Sequence, residues 1–255
     1  DRAKEYSPPL TIESSRPSLK CHMCDVFVRR NANKSQQDEI DSWEETVETA
    51  KENGATEAGI GINAAWGSNF TGQFSEDERM AMLERQYDLW EDAGIPVTSV
   101  FLGDPMGWCM PHVVEHQLMT IQEKWPEITE FNIHLHNPRG MAVPSVYASL
   151  RALKSEHTLN LDGTIGGIGG CPYCGCGRAT GMMPTEDVIH MLEEMGFDTG
   201  VDLDKLIEAV WLLEEILDRP DRESHTTYGH VSKAGPLPHD SEDWFDPNIP
   251  FVETF

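Results

Sequence analysis

The sequence predicts an α/β fold on a parallel sheet. Between residues 19 and 218, short apolar runs alternate with amphipathic runs of helical period. The apolar runs start roughly 31 to 40 residues apart, about the size of a barrel βα unit. Strand–helix alternation with right-handed crossovers pairs strands in parallel. Five such units are present, whereas a closed (β/α)8 barrel needs eight. The periodicity therefore allows an open doubly wound sheet, or a TIM barrel whose first three units are absent or supplied from elsewhere. Parallel strands are normally covered on both faces, so five strands alone are expected to expose apolar surface and two edges.

Leu19–Phe27 reads as the first strand. Ser35, with Asp38 at the capping-box position, opens a helix whose Ile40, Trp43, Val47 and Ala50 share a face, and Asn53-Gly54 stops it. Gly59–Ala65 is the second strand. Ser75-x-x-Glu78 opens a helix carrying Met80, Leu83, Tyr87 and Trp90, with Gly94 as its stop. Val97–Gly103 is the third strand, and Pro111 starts a helix with Val114, Leu118, Ile121 and Trp125 on one stripe. Ile128–His136 precedes a helix across Val143, Tyr147, Leu150 and Leu153. Leu159–Ile165 leads through a glycine-rich run to helices opening at Thr185 and spanning Asp204–Leu217. Residues 1–18 read as an extended segment, 19–218 as the βα units, and 219–255 as an extended acidic tail.

Charge and composition narrow the function. Nineteen basic against 44 acidic residues give a net charge of −25, a field that repels phosphate backbones and argues against nucleic acid as partner. No run of about 18 apolar residues exists to span a membrane, and Asp1–Leu10 has no apolar signal core. The six cysteines are used like reduced thiols, so a cytoplasmic location is expected.

Asn132-Ile-His134-Leu-His136-Asn137 is the sharpest chemical signal. Side chains two apart on a strand share a face, so His134 and His136 face one metal ion, at the strand end where α/β barrels keep their chemistry. Two hydrogen-bonded core histidines are the plainer alternative. The glycines of Gly163–Gly170, Gly169 and Gly170 among them, let a ligand approach the backbone closely. Cys171 follows them as a candidate reactive thiol. Cys171-Pro-Tyr-Cys174-Gly-Cys176 also has zinc-ligand chemistry, without a second ligand pair nearby. Cys21-His-Met-Cys24 reads as strand packing. Asp104 ends a strand, where a turn aspartate is the commoner role. Arg29 and Arg30 offer charge to a phosphate or carboxylate, though solvated charges are commoner.

Taken together, these segments resemble the 3-hydroxy-3-methylglutaryl-CoA lyase family of DRE-TIM metallolyases. Asp25-Val-Phe-Val-Arg-Arg-Asn31 is similar to the family's stretch after its fourth strand, and Gly103-Asp104 with Gly107 to its G-D-T-x-G. His134-Leu-His136-Asn137 with Arg139-Gly140 is similar to its H-x-H-D and following glycine. Gly166-Gly167-Ile-Gly-Gly-Cys171-Pro-Tyr173 resembles its signature loop, and Thr185-Glu186-Asp187 the T-E-D after it. The resemblance covers about residues 19–235. It implies a DRE-TIM (β/α)8 barrel of which this chain holds about five units. The implied activity is retro-Claisen cleavage of a 3-hydroxyacyl-CoA with a divalent cation, Mg2+ or Mn2+. By that resemblance His134 and His136 are metal ligands, and Cys171, Asp104 and His134 are catalytic. Arg29, Arg30, Asn31, Gly169 and Gly170 are then expected to bind substrate. Missing strands would come from an upstream segment or a partner chain, in a homo- or hetero-oligomer.

Departures are specific. The family's first-strand Arg-Asp pair has no counterpart, its asparagine ligand before T-E-D is Met182, and the acid after H-x-H is Asn137. Two other readings stay open: a 2-oxoacid aldolase or acyl-transferring synthase, and a catalytically silent subunit that binds a partner.

Overall fold

The computed structural model describes residues 16–169 and 181–217. Its main sheet has five parallel strands in the order β1 (Ser18–His22), β2 (Ala58–Asn63), β5 (Val97–Asp104), β6 (Glu130–Leu135) and β7 (Thr158–Asp162). A two-stranded hairpin, β3 (Gly67–Ser68) and β4 (Gly72–Gln73), follows β2; the apolar pattern gave no sign of elements so short.

Each main strand is added beside the previous one, so the order never reverses. A doubly wound sheet needs a reversal, because that switch sends helices to the other face. Winding in one sense keeps the crossover helices on one face, as in a barrel wall. Leu19, Ile60, Ile62, Val100, Leu102, Phe131, Ile133 and Leu135 point to that face and are 1% exposed or less. They pack against Trp43, Val47, Leu83, Trp90, Leu118, Ile121 and Val146 of the helices.

The opposite face corrects the expectation of exposed apolar surface. It is polar and bonded to itself. Arg16 donates to Glu130 at 2.8 Å and to Glu57 at 3.1 Å, and Asn160 donates to Asn132 at 2.9 Å and to Glu130 at 3.1 Å. Lys20 lies 4.3 Å above the Phe101 ring. Among the described residues, β1 and β7 each have one strand neighbour, which leaves the two sheet edges where they were expected.

Several element boundaries differ from the sequence reading; the last strand, expected to reach Ile165, stops at Asp162, and Ile165–Gly167 form a short 3-10 turn with Gly166 at φ 62°. The first strand stops at His22, and α1 (Asp25–Ala32) follows. Asp25 in its first turn accepts from Arg29 at 2.6 Å and from the Gln36 N–H at 2.8 Å. These local bonds turn Val26–Val28 into helix, where hydrophobicity alone extends the strand. Beyond the Ser35 capping box, the next helix divides at Ser42 into α2 (Gln36–Asp41) and α3 (Trp43–Glu52). The Ser42 hydroxyl bonds back to the Glu39 carbonyl at 2.7 Å, competing with the helix ladder.

The remaining helices agree with the periodicity: α4 (Glu76–Asp92), α5 (Pro111–Lys124), α6 (Ala142–Ala152), α7 (Thr185–Glu194) and α8 (Leu203–Leu217). Ser75 and Glu78 form the expected capping box on α4. Among the described residues no helix is long and apolar enough to cross a membrane.

Cys21 is fully buried on β1, and burial, with the Glu39 charge, pushes its thiol up to about 12. We expect folded protein to alkylate at Cys21 at least about 100-fold more slowly than an unperturbed thiol, because thiolate is scarce there. Cys171, on the glycine-rich segment, is expected to label faster. Single-cysteine variants followed by mass spectrometry give the two rates, and faster labelling of Cys21 would refute the order.

Candidate active site

Strand register brings five positions into one row at the C-terminal end of the sheet. His22 lies beside Asn63, and Ile62 beside Leu102 sets Asn63 next to Gly103; Gly103 lies beside His134, and His134 beside Asp162. The row crosses all five strands on the polar face.

His134 and His136 meet as their spacing requires: their Nε2 atoms are 3.2 Å apart. Two adjacent octahedral ligands at about 2.2 Å from one cation lie about 3.1 Å from each other, so this separation fits a shared ion. On the far side of the His134 ring, Nδ1 is 3.0 Å from Asp162 Oδ2. A carboxylate there accepts the Nδ1 proton and leaves the Nε2 lone pair facing His136, as second-shell carboxylates do for metal-bound histidines. Asp162 was missed in the sequence. It sits 28 residues from His134 on an edge strand with an ordinary polar alternation. The donor set is therefore suited to two positions of a metal site. Among the described residues, no cluster of three or more His, Cys, Asp or Glu side chains completes it.

Met182 is 9% exposed and its backbone bridges that of His136. A soft thioether thus stands where the resembling family has a hard amide ligand. Asn137 Oδ1 accepts from the Ala142 N–H at the start of α6 at 3.1 Å; nothing in the structure explains an amide there in place of an acid.

Asp104 is fully buried beneath the loop after β5. Its Oδ1 accepts from the Trp108 N–H at 2.9 Å and its Oδ2 from the Cys109 N–H at 2.7 Å. Burial lifts its pKa above the ordinary carboxylate range, against the pull of those two donors and of Arg139. Arg139 clamps the same loop, donating to the Met106 and Gly107 carbonyls at 2.8 and 2.6 Å and stacking 4.7 Å from the Trp108 ring centre. Gly107 has φ of 63°, and a Cβ there would come within 2.4 Å of Pro138. Aspartate, glycine and arginine together shape this strand-end loop.

The other candidates are placed differently. Arg29 is exposed on α1 and held by Asp25, Arg30 lies 5.4 Å from the Phe70 ring centre, and Asn31 is exposed on the same helix. Gly169 has φ of 96° and faces Met182. Gly170 and Cys171, with Cys174 and Cys176, lie outside the described residues. At the base of that segment the Gly166 N–H donates to buried Glu186 at 2.9 Å.

The sequence and the fold are similar to those of known proteins. Residues 13–212 match the HMGL-like family. The chain is 34% identical over 179 residues to an (R)-citramalyl-CoA lyase of Chloroflexus aurantiacus, covering 70% of this chain and 50% of that protein. It is 30% identical over 192 residues to a hydroxymethylglutaryl-CoA lyase of Bacillus subtilis, covering 75% and 60% respectively. Its fold is similar to an HMG-CoA lyase from Acinetobacter baumannii in complex with coenzyme A and 3-methylmalate, with a TM-score of 0.66, 26% identity, and coverage of 87% of this chain and 68% of that one. The chain spans about half the length of the first of these relatives. On the match across 13–212, the chain belongs to the HMGL-like family.

Proposed function

We propose that this chain carries the metal-binding and proton-transfer half of an acyl-CoA lyase that cleaves a carbon–carbon bond in a 3-hydroxyacyl-CoA. The observation that carries this reading is the His134–His136 pair, 3.2 Å between Nε2 atoms, with Asp162 behind His134. His134 and His136 would hold Mg2+ or Mn2+. When bound, such a cation lowers a hydroxyl pKa and offsets charge on a carbonyl oxygen.

The chain's own groups do the rest. Asp162 keeps the Nδ1 proton on His134, so the Nε2 lone pair stays available. Asp104 and Arg139 fix the loop at the end of β5. In the cleavage, the 3-hydroxyl gives its proton to a basic group that we place outside the described residues and becomes the ketone of one product as the adjacent carbon–carbon bond breaks. The electron pair stays on the acetyl-CoA fragment as an enolate, which takes a proton at carbon; Cys171 is the residue we assign to that delivery. The strands that cover the two sheet edges, from outside the described residues, would add the remaining acidic ligand, and the assembly would be an oligomer working in the cytoplasm.

One observation favours a second reading. Buried Met182 beside His136 is a poor ligand for a hard cation, as in a subunit that has lost turnover and kept acyl-CoA binding. A screen of 3-hydroxy-3-methylglutaryl-CoA and citramalyl-CoA, with Mn2+ and with EDTA, separates the two. Cation-dependent release of acetyl-CoA is the expected result. Tight acyl-CoA binding with no cleavage under any cation would replace the lyase by the silent subunit.

A further inference from the structure

The row at the sheet's C-terminal end contains a polar relay that the metal pair does not use. His22 closes β1, and its Nδ1 is 2.9 and 3.1 Å from the two carboxylate oxygens of Glu39. Glu39 is 6% exposed and also accepts the His22 backbone N–H at 2.9 Å. Burial works against its charge, but the bonds from the His22 ring and backbone, and the Lys34 charge, outweigh burial and hold its carboxyl below the usual range. The ionised carboxylate accepts the Nδ1 proton, and in the tautomer that carries this proton alone His22 Nε2 presents a lone pair. That lone pair is 3.2 Å from Asn63 Nδ2.

Asn63 is thereby oriented from both ends. Its Oδ1 accepts the Ala64 N–H at 2.9 Å, and its amide nitrogen donates to His22. An amide nitrogen has two hydrogens, and the second has no acceptor among the described residues. Next along the row comes Gly103, where a Cβ would sit 2.4 Å from Asn63 Oδ1. The Phe101 ring would be 3.0 Å from the same Cβ, so glycine is what lets the Asn63 amide and that ring lie side by side between Asn63 and His134. The backbones of Asn63 and His134 are two strand spacings apart, about 10 Å, so side chains rising from both on the polar face can meet the two ends of one small ligand.

We infer that Asn63, aimed by the Glu39–His22 relay, is a specificity-determining residue that donates to the terminal carboxylate of a dicarboxylic 3-hydroxyacyl thioester bound on the polar face at the C-terminal end of the sheet. His22 is its positioning residue. The inference rests on the lyase reading for the nature of the ligand, and the test below separates the two.

The 255-residue chain and its Asn63→Asp and Asn63→Ser variants are compared on citramalyl-CoA and on a 3-hydroxyacyl-CoA of similar length without the terminal carboxylate. Asparagine side-chain amides are followed by NMR as citramalate is added. We expect Asn63→Asp to raise KM for the dicarboxylic substrate about 10- to 100-fold, with little change in kcat or in the monocarboxylic reaction. The smaller Asn63→Ser is expected to keep part of the discrimination. The Asn63 amide resonance should shift with citramalate, and His22→Phe should abolish that shift while His22→Gln, which keeps an acceptor, restores part of it. A still amide resonance, or equal losses on both substrates, would overturn the inference. A shifting resonance in a protein that cleaves neither thioester would uphold Asn63 as the carboxylate reader and remove the lyase reading instead.

Discussion

Asp162→Ala is expected to weaken Mn2+ binding about 10- to 100-fold, and the double variant His134→Ala, His136→Ala to abolish it. The two changes act on different parts of one arrangement. The histidines supply the donor atoms, 3.2 Å apart. Asp162 supplies none to that side; at 3.0 Å from Nδ1 it fixes which nitrogen of His134 carries the proton. Without it the ring populates the tautomer with hydrogen on Nε2, which cannot bind a cation, and turns more freely about its side-chain bonds. Stability should hardly move in Asp162→Ala, because the side chain is 63% exposed on an edge strand. Titration calorimetry with Mn2+, beside a thermal melt of each protein, gives both quantities. Unchanged Mn2+ affinity in either variant would contradict the assignment.

Period and spacing made the sheet legible. Alternation of Phe131, Ile133 and Leu135 with Asn132 and His134 is the pattern of a strand with one apolar face, and such a strand is present. The same rule, applied to Leu19–Phe27, failed at His22. Apolar Val26, Phe27 and Val28 suit strand and helix equally, and what decides is the Asp25 carboxylate bonding to Arg29 and to Gln36. The histidine pair was legible because two-residue spacing is a local fact. Asp162, Asn63 and the His22–Glu39 pair were not, since each acquires its partner only when distant segments are set side by side. His22 was passed over inside a cysteine motif, and a polar residue at a strand end carries no signal until the register is known. The reversal-free strand order is of the same kind. Local pattern alone left the doubly wound sheet and the barrel wall level, and the order, together with the polar inner face, separates them.

Asp104→Ala is expected to cost about 2–6 kcal/mol, from one buried and one half-buried backbone donor left without an acceptor at about 1–3 kcal/mol each. Trp108 and Cys109 lose their only carboxylate partner in the loop, and Arg139 would then hold that loop alone through the Met106 and Gly107 carbonyls. The penalty should depend on pH in a definite direction. Burial raises the Asp104 pKa in the folded protein, so the folded state binds this proton more tightly than the unfolded chain, whose value is about 3.9. Its contribution to stability is therefore whole below that unfolded value and is lost as pH rises through the raised folded one. Alanine has no proton to bind, so the gap between the two proteins is widest near pH 4 and narrows toward pH 8. Urea unfolding of both proteins across that range measures the gap directly, with every other titrating group cancelling in the difference. Parallel stability curves would show that Asp104 titrates alike in the folded and unfolded chain. A gap that widens with pH would mean that the Trp108 and Cys109 donors and Arg139 outweigh burial and hold the carboxylate charged.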